Sequence, residues 1–317
     1  MNFPESPDAS LKVGIVTVTY NSRAVLEDFF LSLQAQSYTN YMLYIVDSAS
    51  TDDTVAYAAA RLPRRARLLP SEVNLGFAAG TNLGIKAAFA DGCHAILVLN
   101  NDVVLDPDMI YRLVEGMDRY GCEMTTPLMY FHQPGDRIWA AGGVLRRLLG
   151  YLHLHRGMGQ KDHGQFSQPA RVSFAPLCCV LVQKQVFDRV GLLDENYFTY
   201  TEDADFMYNC LKMDITLWYV PDAKLWHKVS SLTGGLSAFT IHYCVRGRIY
   251  FLHKNLNSLA AWGWTCAYLA YFPVQFLFRR LSWRTMELKY RAAVEGYALY
   301  RKRRSRRSTN DVTAVAG

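Results

Sequence analysis

Apolar and polar positions alternate in two rhythms over the first third of the chain. Val13 to Val18 is a β-branched run closed by Asn21 and Ser22, and Val25 to Leu33 then carries apolar residues at helical spacing. The unit recurs: Met42 to Val46 reads as a strand and Thr54 to Arg61 as a helix behind the acidic Thr51-Asp52-Asp53 turn. A helix-like stretch from Ala78 to Ala90, with no obvious strand before the Asn74–Gly84 run, leads into the apolar segment Ala95 to Leu99. Repeated strand–helix units of this length predict an α/β fold with a mostly parallel sheet and helices on both faces.

The pattern loosens after Asp106-Pro107, where a further helix is expected to start. Tyr130 to Gln168 is rich in Gly, His, Arg and Gln and reads as long loops and short antiparallel strands beside a cleft. Order returns at Val172 to Val182, followed by a helix from Lys184 to Val190 and a last strand from Leu217 to Val220 that turns at Pro221-Asp222-Ala223. Three segments follow from this reading: 1–110 and 111–240 as two halves of one α/β domain, and 241–317 as a helical appendage.

That appendage differs in kind. Leu259 to Phe278 is 20 residues without a charge, interrupted by Pro273 and followed by Arg279-Arg280, an amphipathic helix from Trp283 to Tyr300, and the block Arg301 to Arg307. Twenty apolar residues are long enough to cross a bilayer, but a crossing would put the Arg-rich tail outside the cytoplasm, against the positive-inside tendency. The expectation is therefore a helix pair lying in or dipping into the inner leaflet, broken near Pro273, with the tail on anionic lipid; a buried or dimer-forming helix and a true span are the alternatives.

Composition narrows the setting. Of 317 residues half are hydrophobic, enough for a sizeable core, and the net charge of +6 comes largely from the one basic block. Such a block ordinarily means solvated disorder. It lacks the interleaved aromatic or groove-reading elements of a specific nucleic-acid reader, so no nucleic-acid partner is expected. Seven cysteines without a Cys-x-x-Cys pair suit buried thiols in a reducing cytoplasm, and residues 1–10 do not resemble a signal peptide.

Candidate chemistry sits where apolar runs end. Thr19, Tyr20 and Asn21 follow the first strand, and Asp47 with Ser48 ends the second, where an aspartate is suited to accept hydrogen bonds from a base or ribose or simply to cap a helix. Asn74, Gly76, Gly80 and Asn82 lie in a small-residue run that lets backbone approach a ligand or lets a helix pack closely; it is not a Gly-x-Gly-x-x-Gly fingerprint. Asn100-Asn101-Asp102 follows a third strand, with Asp102 the one carboxylate suited to a hard divalent cation bridging a diphosphate. His227 is a candidate second ligand, since imidazole with carboxylate suits manganese better than magnesium. Glu202 and Asp203 open a helix, either as caps or with one of them as a general base.

In order, Val-Thr-Tyr-Asn at 18–21, Val46 to Asp52, Asn74 to Phe77, Leu99 to Asp102, Val190 to Glu195, Phe198-x-Tyr200-x-Glu202-Asp203-x-Asp205 and Pro221 through His227 resemble the family-2 glycosyltransferases of GT-A fold, in their rhamnosyltransferase-like subgroup. The resemblance covers roughly residues 11 to 250, and implies that 1–110 is the nucleotide-sugar-binding half and 111–240 the acceptor-binding and catalytic half of one GT-A domain. It implies inverting transfer from a nucleotide sugar, with deoxythymidine diphosphate rhamnose as the subgroup's donor. Asp47 would hold the base, Asn100 to Asp102 would take the place of an Asp-x-Asp motif, Asp203 would be the catalytic base, and Asp102 and His227 would bind Mg or Mn. Ser230 and Ser231 would cover the diphosphate. Three departures stand out: Asn100 for the motif's first Asp, Cys178-Cys179 where Gly-Ala is usual, and Asn209 for a frequent Arg. A glycan or lipid-linked acceptor at the inner face of the cell membrane fits the appendage. The alternatives are a soluble transferase acting on a small-molecule or protein acceptor, and a non-catalytic nucleotide-sugar-binding scaffold.

Overall fold

The computed structural model describes residues 11–229, 237–278 and 280–315, with side chains described as far as Arg306. The expected Ser230-Ser231 loop lies outside the described residues.

Strands β1 (Val13–Thr19), β2 (Tyr41–Ser48), β3 (Ala66–Ser71) and β4 (Ala95–Leu99) form a parallel core in the order β4-β1-β2-β3, and helices α1 (Leu26–Gln34), α2 (Thr54–Arg61) and α3 (Gly76–Ala90) connect them. Strands β1, β2 and β4 are hydrophobic on both sides because each side is covered. Ile15, Leu43, Ile45 and Leu97 face α1 and α2 within the main core, whereas Val16, Val18 and Val46 meet α3. On α3 the small residues serve close approach: a Cβ at Gly84 would stand 2.4 Å from Val16 Cγ1, and one at Gly80 2.9 Å from Val18 Cγ1.

Beyond β4 the sheet becomes mixed. The chain continues through β5 (Val103–Leu105), α4 (Met109–Tyr120), β6 (Met124–Phe131), β7 (Ile138–Ala141), a separate two-stranded sheet of β8 (Gly143–Arg146) and β9 (Leu152–His155), β10 (Ala170–Val172), β11 (Cys179–Gln183), α5 (Lys184–Val190), α6 (Glu202–Lys212) and β12 (Leu217–His227). Strand β11 is antiparallel to both β4 and β6, while β6 runs parallel to β12. The main sheet has the order β10-β12-β6-β11-β4-β1-β2-β3, with β5 on β12 and β7 on β6.

Three expectations change. The small-residue run does follow a strand, β3, which its Arg and Pro residues hide from a purely apolar reading. Pro221-Asp222-Ala223 does not end the last strand: β12 continues to His227 through an irregularity in its pairing with β6 between Val220 and Lys224. A bulge is where a sheet tolerates a proline, which has no N–H to donate. Finally, the basic block is not irregular but continues helix α9 (Trp283–Val315).

The contacts divide the described chain into two compact units. One comprises 11–145, 153–195 and 203–229 and holds the main sheet. The second comprises 146–152, 196–202 and the helices α7 (Ala238–Asn255), α8 (Ser258–Leu277) and α9. Within it, Arg246 donates to the carbonyls of Asn196 and Tyr197 at 2.7 and 2.9 Å, and Arg248 to that of Leu149 at 2.8 Å. No helix among the described residues is long and apolar enough to cross a membrane.

Candidate active site

The polar groups at the carboxyl ends of β1, β2 and β4 form a connected floor. Thr19 donates to Asp47 Oδ1 at 2.8 Å, the Ser50 hydroxyl reaches the same oxygen at 2.6 Å, and the Ser50 amide reaches Oδ2 at 2.9 Å. Asp47 is therefore buried and engaged in holding its own turn. Asn21, at φ +49°, accepts from the Thr51 amide at 2.8 Å and joins the two strand ends. Asn101 donates to the Val18 carbonyl at 2.7 Å and ties β4 to β1, while Tyr20 stands 48% exposed above the floor. Ser48 is buried, with its hydroxyl unpaired.

The residues named on α3 divide by task. Asn74, on the loop after β3, accepts from the amide of Gly76 at the start of α3, whose φ of +70° a side chain would oppose. Gly80 and Asn82 face inward instead. Asn82 exchanges hydrogen bonds with both backbone groups of Leu193, at 2.9 and 3.0 Å, and donates to Glu195 at 2.9 Å. Its amide is consumed in joining α3 to the segment after α5, and Gly80 is explained by contact with β1.

Strand pairing assembles the other half of the site. Because β5 is antiparallel to β12 with Val103 opposite His227, Asp102 comes to lie beside the imidazole, and the Lys228 amide donates to the Asp102 carbonyl at 2.8 Å. His227 Nε2 and Asp102 Oδ1 are 3.1 Å apart, and both residues are 7% exposed. Cys178 arrives through the pairing of β11 with β4, where its carbonyl accepts from the Asn100 amide at 2.8 Å. Burial pushes the Cys178 thiol up, so it remains protonated at neutral pH. Burial by itself would lower the His227 pKa. Contact with Cys178 and the hydrogen bond with Asp102 outweigh it and hold the imidazole above its ordinary value.

Two residues that sequence reasoning passed over complete this corner. Trp139, on β7, packs edge-on against His227 with ring centroids 4.4 Å apart and against His155 at 4.9 Å. His155, on β9, feels the charges of Asp203 and His227, which places the start of α6 in the same neighbourhood. Burial and then His153 push the His155 pKa down to about 4, and its Nδ1 is buried without a hydrogen bond. The short, His-rich strand between turns was the available signal. Of the paired carboxylates, Glu202 is 6% exposed, while Asp203 is partly exposed. Asp203 Oδ1 accepts the Ala204 amide at 2.6 Å.

The donor set fits a hard divalent ion. Neighbouring ligands of an octahedral ion with bonds of roughly 2.1 Å stand about 3.0 Å apart, close to the observed separation of Nε2 and Oδ1. Among the described residues no group of three or more His, Cys, Asp or Glu side chains is arranged to hold a metal. Two protein ligands suffice where substrate phosphate and water supply the rest.

Parallel core, strand-end floor and buried carboxylate–imidazole pair define an α/β protein of the GT-A type. Residues 14–191 match the model of Glycosyl transferase family 2, which is more than half of the chain, and the chain belongs to that family. It is an inverting glycosyltransferase that uses a nucleotide-sugar donor. The N-acetylglucosaminyl-diphospho-decaprenol L-rhamnosyltransferase of Mycobacterium tuberculosis is 28% identical over 239 residues, 69% of this chain and 77% of that protein. The dTDP-rhamnosyl transferase RfbF of Shigella flexneri is 24% identical over 250 residues, covering 76% and 79%. In fold, the mannosyltransferase PcManGT from Pyrobaculum calidifontis, in complex with GDP-Man and Mn2+, aligns with TM-score 0.57 and 12% identity over 95% of this chain and 90% of that one. GalNAc-T7 with UDP, GalNAc and Mn2+ aligns with TM-score 0.59 and 14% identity over 76% of this chain and 47% of that one.

Proposed function

We propose that this enzyme transfers rhamnose from deoxythymidine diphosphate rhamnose to a hydroxyl of a lipid-linked glycan at the inner face of the cell membrane. The observation that carries the reading is the buried Asp102–His227 pair in the same corner as a partly exposed Asp203. Two of the relatives are a rhamnosyltransferase named for a decaprenol-linked substrate and one named for dTDP-rhamnose, which supports both donor and acceptor class.

Asp102 and His227 would hold a divalent cation, which supplies positive charge to a departing nucleoside diphosphate. Tyr20, Asn21 and the turn braced by Asp47 would frame the nucleoside, with Tyr20 offering an exposed ring and Asp47 keeping the strand ends in register. Asp203 would take the proton of the acceptor hydroxyl. Its Oδ1 is fixed by the Ala204 amide, and Oδ2 has no hydrogen-bond partner among the described residues, which leaves that oxygen for the incoming hydroxyl. A single displacement needs no enzyme nucleophile, in keeping with inversion.

The membrane assignment is supported by α8. Its exposed side carries Leu259 (87% exposed), Trp262, Tyr271, Val274 and Leu277 at helical spacing, while Ala261, Thr265 and Phe272 are buried. Arg280 and Arg284 are exposed just beyond its end. An apolar stripe of this length, flanked by cations, suits a helix lying in an anionic interface rather than crossing it.

The test is transfer by the wild type and by Asp203→Asn, with and without Mn2+ or Mg2+. Loss of transfer in the variant, and metal dependence in the wild type, are expected. Equal, metal-insensitive rates would remove the proposed roles.

A further inference from the structure

The helical unit exposes a second apolar element besides α8. Between β8 and β9 the chain runs through Arg146, Arg147, Leu148 and Leu149, all four exposed, and Arg147–Leu149 is a single 3₁₀ turn with no buried residue. Leu148 is 87% exposed and Leu149 43%. A surface turn gains nothing in water from two adjacent leucines, where polar residues are the rule.

The backbone presents this tip rigidly. Gly150 (φ +61°) and Tyr151 (φ +59°) are left-handed in succession and fold the chain back, and their amides donate to the carbonyls of Arg147 and Arg146 at 3.1 and 2.9 Å. Arg248 of α7 donates to the Leu149 carbonyl at 2.8 Å. A Cβ on Gly150 would stand 3.0 Å from both Arg248 Nη2 and Trp264 Cγ of α8, so the turn rests directly on α7 and α8. Side chains carried on a braced backbone have less freedom to lose when they dock.

The charge on the tip has one sign. Residues 146–152 hold two arginines and no carboxylate, and α8 beside them holds no charged residue. Among the described residues neither Arg146 nor Arg147 is in an ion pair. Leucines next to guanidinium groups match a surface that is apolar within and anionic outside: leucine gains by entering the acyl boundary, while arginine keeps its head at the level of the phosphates.

We propose that the 146–152 turn is a second membrane-contact element, in which Leu148 and Leu149 enter an anionic bilayer surface and Arg146 and Arg147 meet its head groups. The choice of a bilayer as partner rests on the membrane reading of α8, whose apolar side the turn extends. A helix lying alone in an interface is free to roll about its axis. A second contact off that axis fixes how the helical unit sits on the lipid.

The experiment measures sedimentation of the full chain with phosphatidylcholine vesicles, with and without phosphatidylglycerol. Leu148→Ser is compared with the wild type and with Leu31→Ser, which removes an exposed leucine from α1 in the other unit. Leu148→Ser is expected to partition about tenfold more weakly, the scale of withdrawing one leucine from an apolar phase, and Leu31→Ser as the wild type does. Arg146→Gln/Arg147→Gln is expected to lose about tenfold on vesicles with phosphatidylglycerol and nothing on those without it. Leu148→Phe, apolar at the same place, should retain binding. Wild-type partitioning by both turn variants overturns the proposal; if Leu259→Asp/Leu277→Asp then abolishes sedimentation, the reading of α8 stands without it. The opposite pattern keeps the turn and removes the α8 stripe, and no sedimentation of the wild type overturns both. Self-association in the absence of lipid that Leu148→Ser abolishes would give the leucines to a second copy of the chain and overturn the bilayer as partner.

Discussion

Asp102 and His227 are 125 positions apart in sequence and 3.1 Å apart in space, because β5 lies antiparallel on β12 with Val103 opposite His227. Each is a strand-end residue with little to distinguish it alone, and both are largely withdrawn from solvent.

Asp102→Asn keeps the shape of the pair and removes the carboxylate charge. Transfer is expected to fall about 10²–10³-fold, the scale for losing one electrostatic support of a developing charge. Mn2+ affinity measured by calorimetry should fall with it. Unchanged Mn2+ binding in Asp102→Asn would place the ion elsewhere.

Asp203→Asn is expected to lower kcat about 10²–10⁴-fold, as for loss of a general base, with little change in melting temperature because the side chain is partly exposed. Glu202→Gln serves as the comparison. If it proves the more damaging of the two in kcat, the buried carboxylate is the base and the assignment to Asp203 is wrong.

His155 makes stability depend on acidity. Its folded pKa of about 4 lies below the ordinary 6.5, so the unfolded chain takes up a proton that the folded chain refuses. The contribution is complete above pH 6.5 and is lost as pH falls toward 4; for so large a depression it amounts to about 2–3 kcal/mol. Replacing His155 by Gln should flatten the fall in unfolding free energy between those pH values. A denaturant-melt series showing equal slopes in both proteins would refute this.

Gly84→Ala sets helix propensity against packing. Alanine gains up to about 1 kcal/mol in a helix interior, but its Cβ would stand 2.4 Å from Val16 Cγ1 and 3.3 Å from Val46 Cγ2, atoms of stiff β-branched side chains. Overpacking costs about 1–3 kcal/mol, so a net loss of stability is expected by chemical denaturation. A gain would mean that α3 can lift from the sheet without penalty.

Leu259→Asp/Leu277→Asp places charge at both ends of the exposed side of α8 while leaving the buried residues untouched. Sedimentation with anionic vesicles is expected to drop sharply, with transfer to a water-soluble acceptor analogue retained. Undiminished sedimentation would assign membrane contact to another surface.

Much of the fold was legible because strands covered on both sides must be written as apolar runs. Val13 to Val18, Ala95 to Leu99, Thr54 to Arg61 and Lys184 to Val190 all occur as strands or helices at or near the expected limits. Strand β3 was missed because it lies at the edge of the sheet, where Arg67 and Pro70 are tolerated. The continuation of β12 past Pro221 was missed because a bulge lets the chain keep its pairing where local turn chemistry signals an end.

Of the site, the strand-end residues and their order along the chain belong to the sequence, since loops at the ends of buried strands must be polar. Their employment does not. Hydrogen bonds commit Asn82 to Leu193 and bury Asp47 within its own turn, while Trp139 and His155 enter the corner only because β7 and β9 fold back toward β12. Sequence alone determined the elements and the chemistry available at their ends, because periodicity and turn propensity are local properties. Tertiary structure alone decided which distant groups share a space, because that depends on strand register and helix contact between residues far apart in the chain.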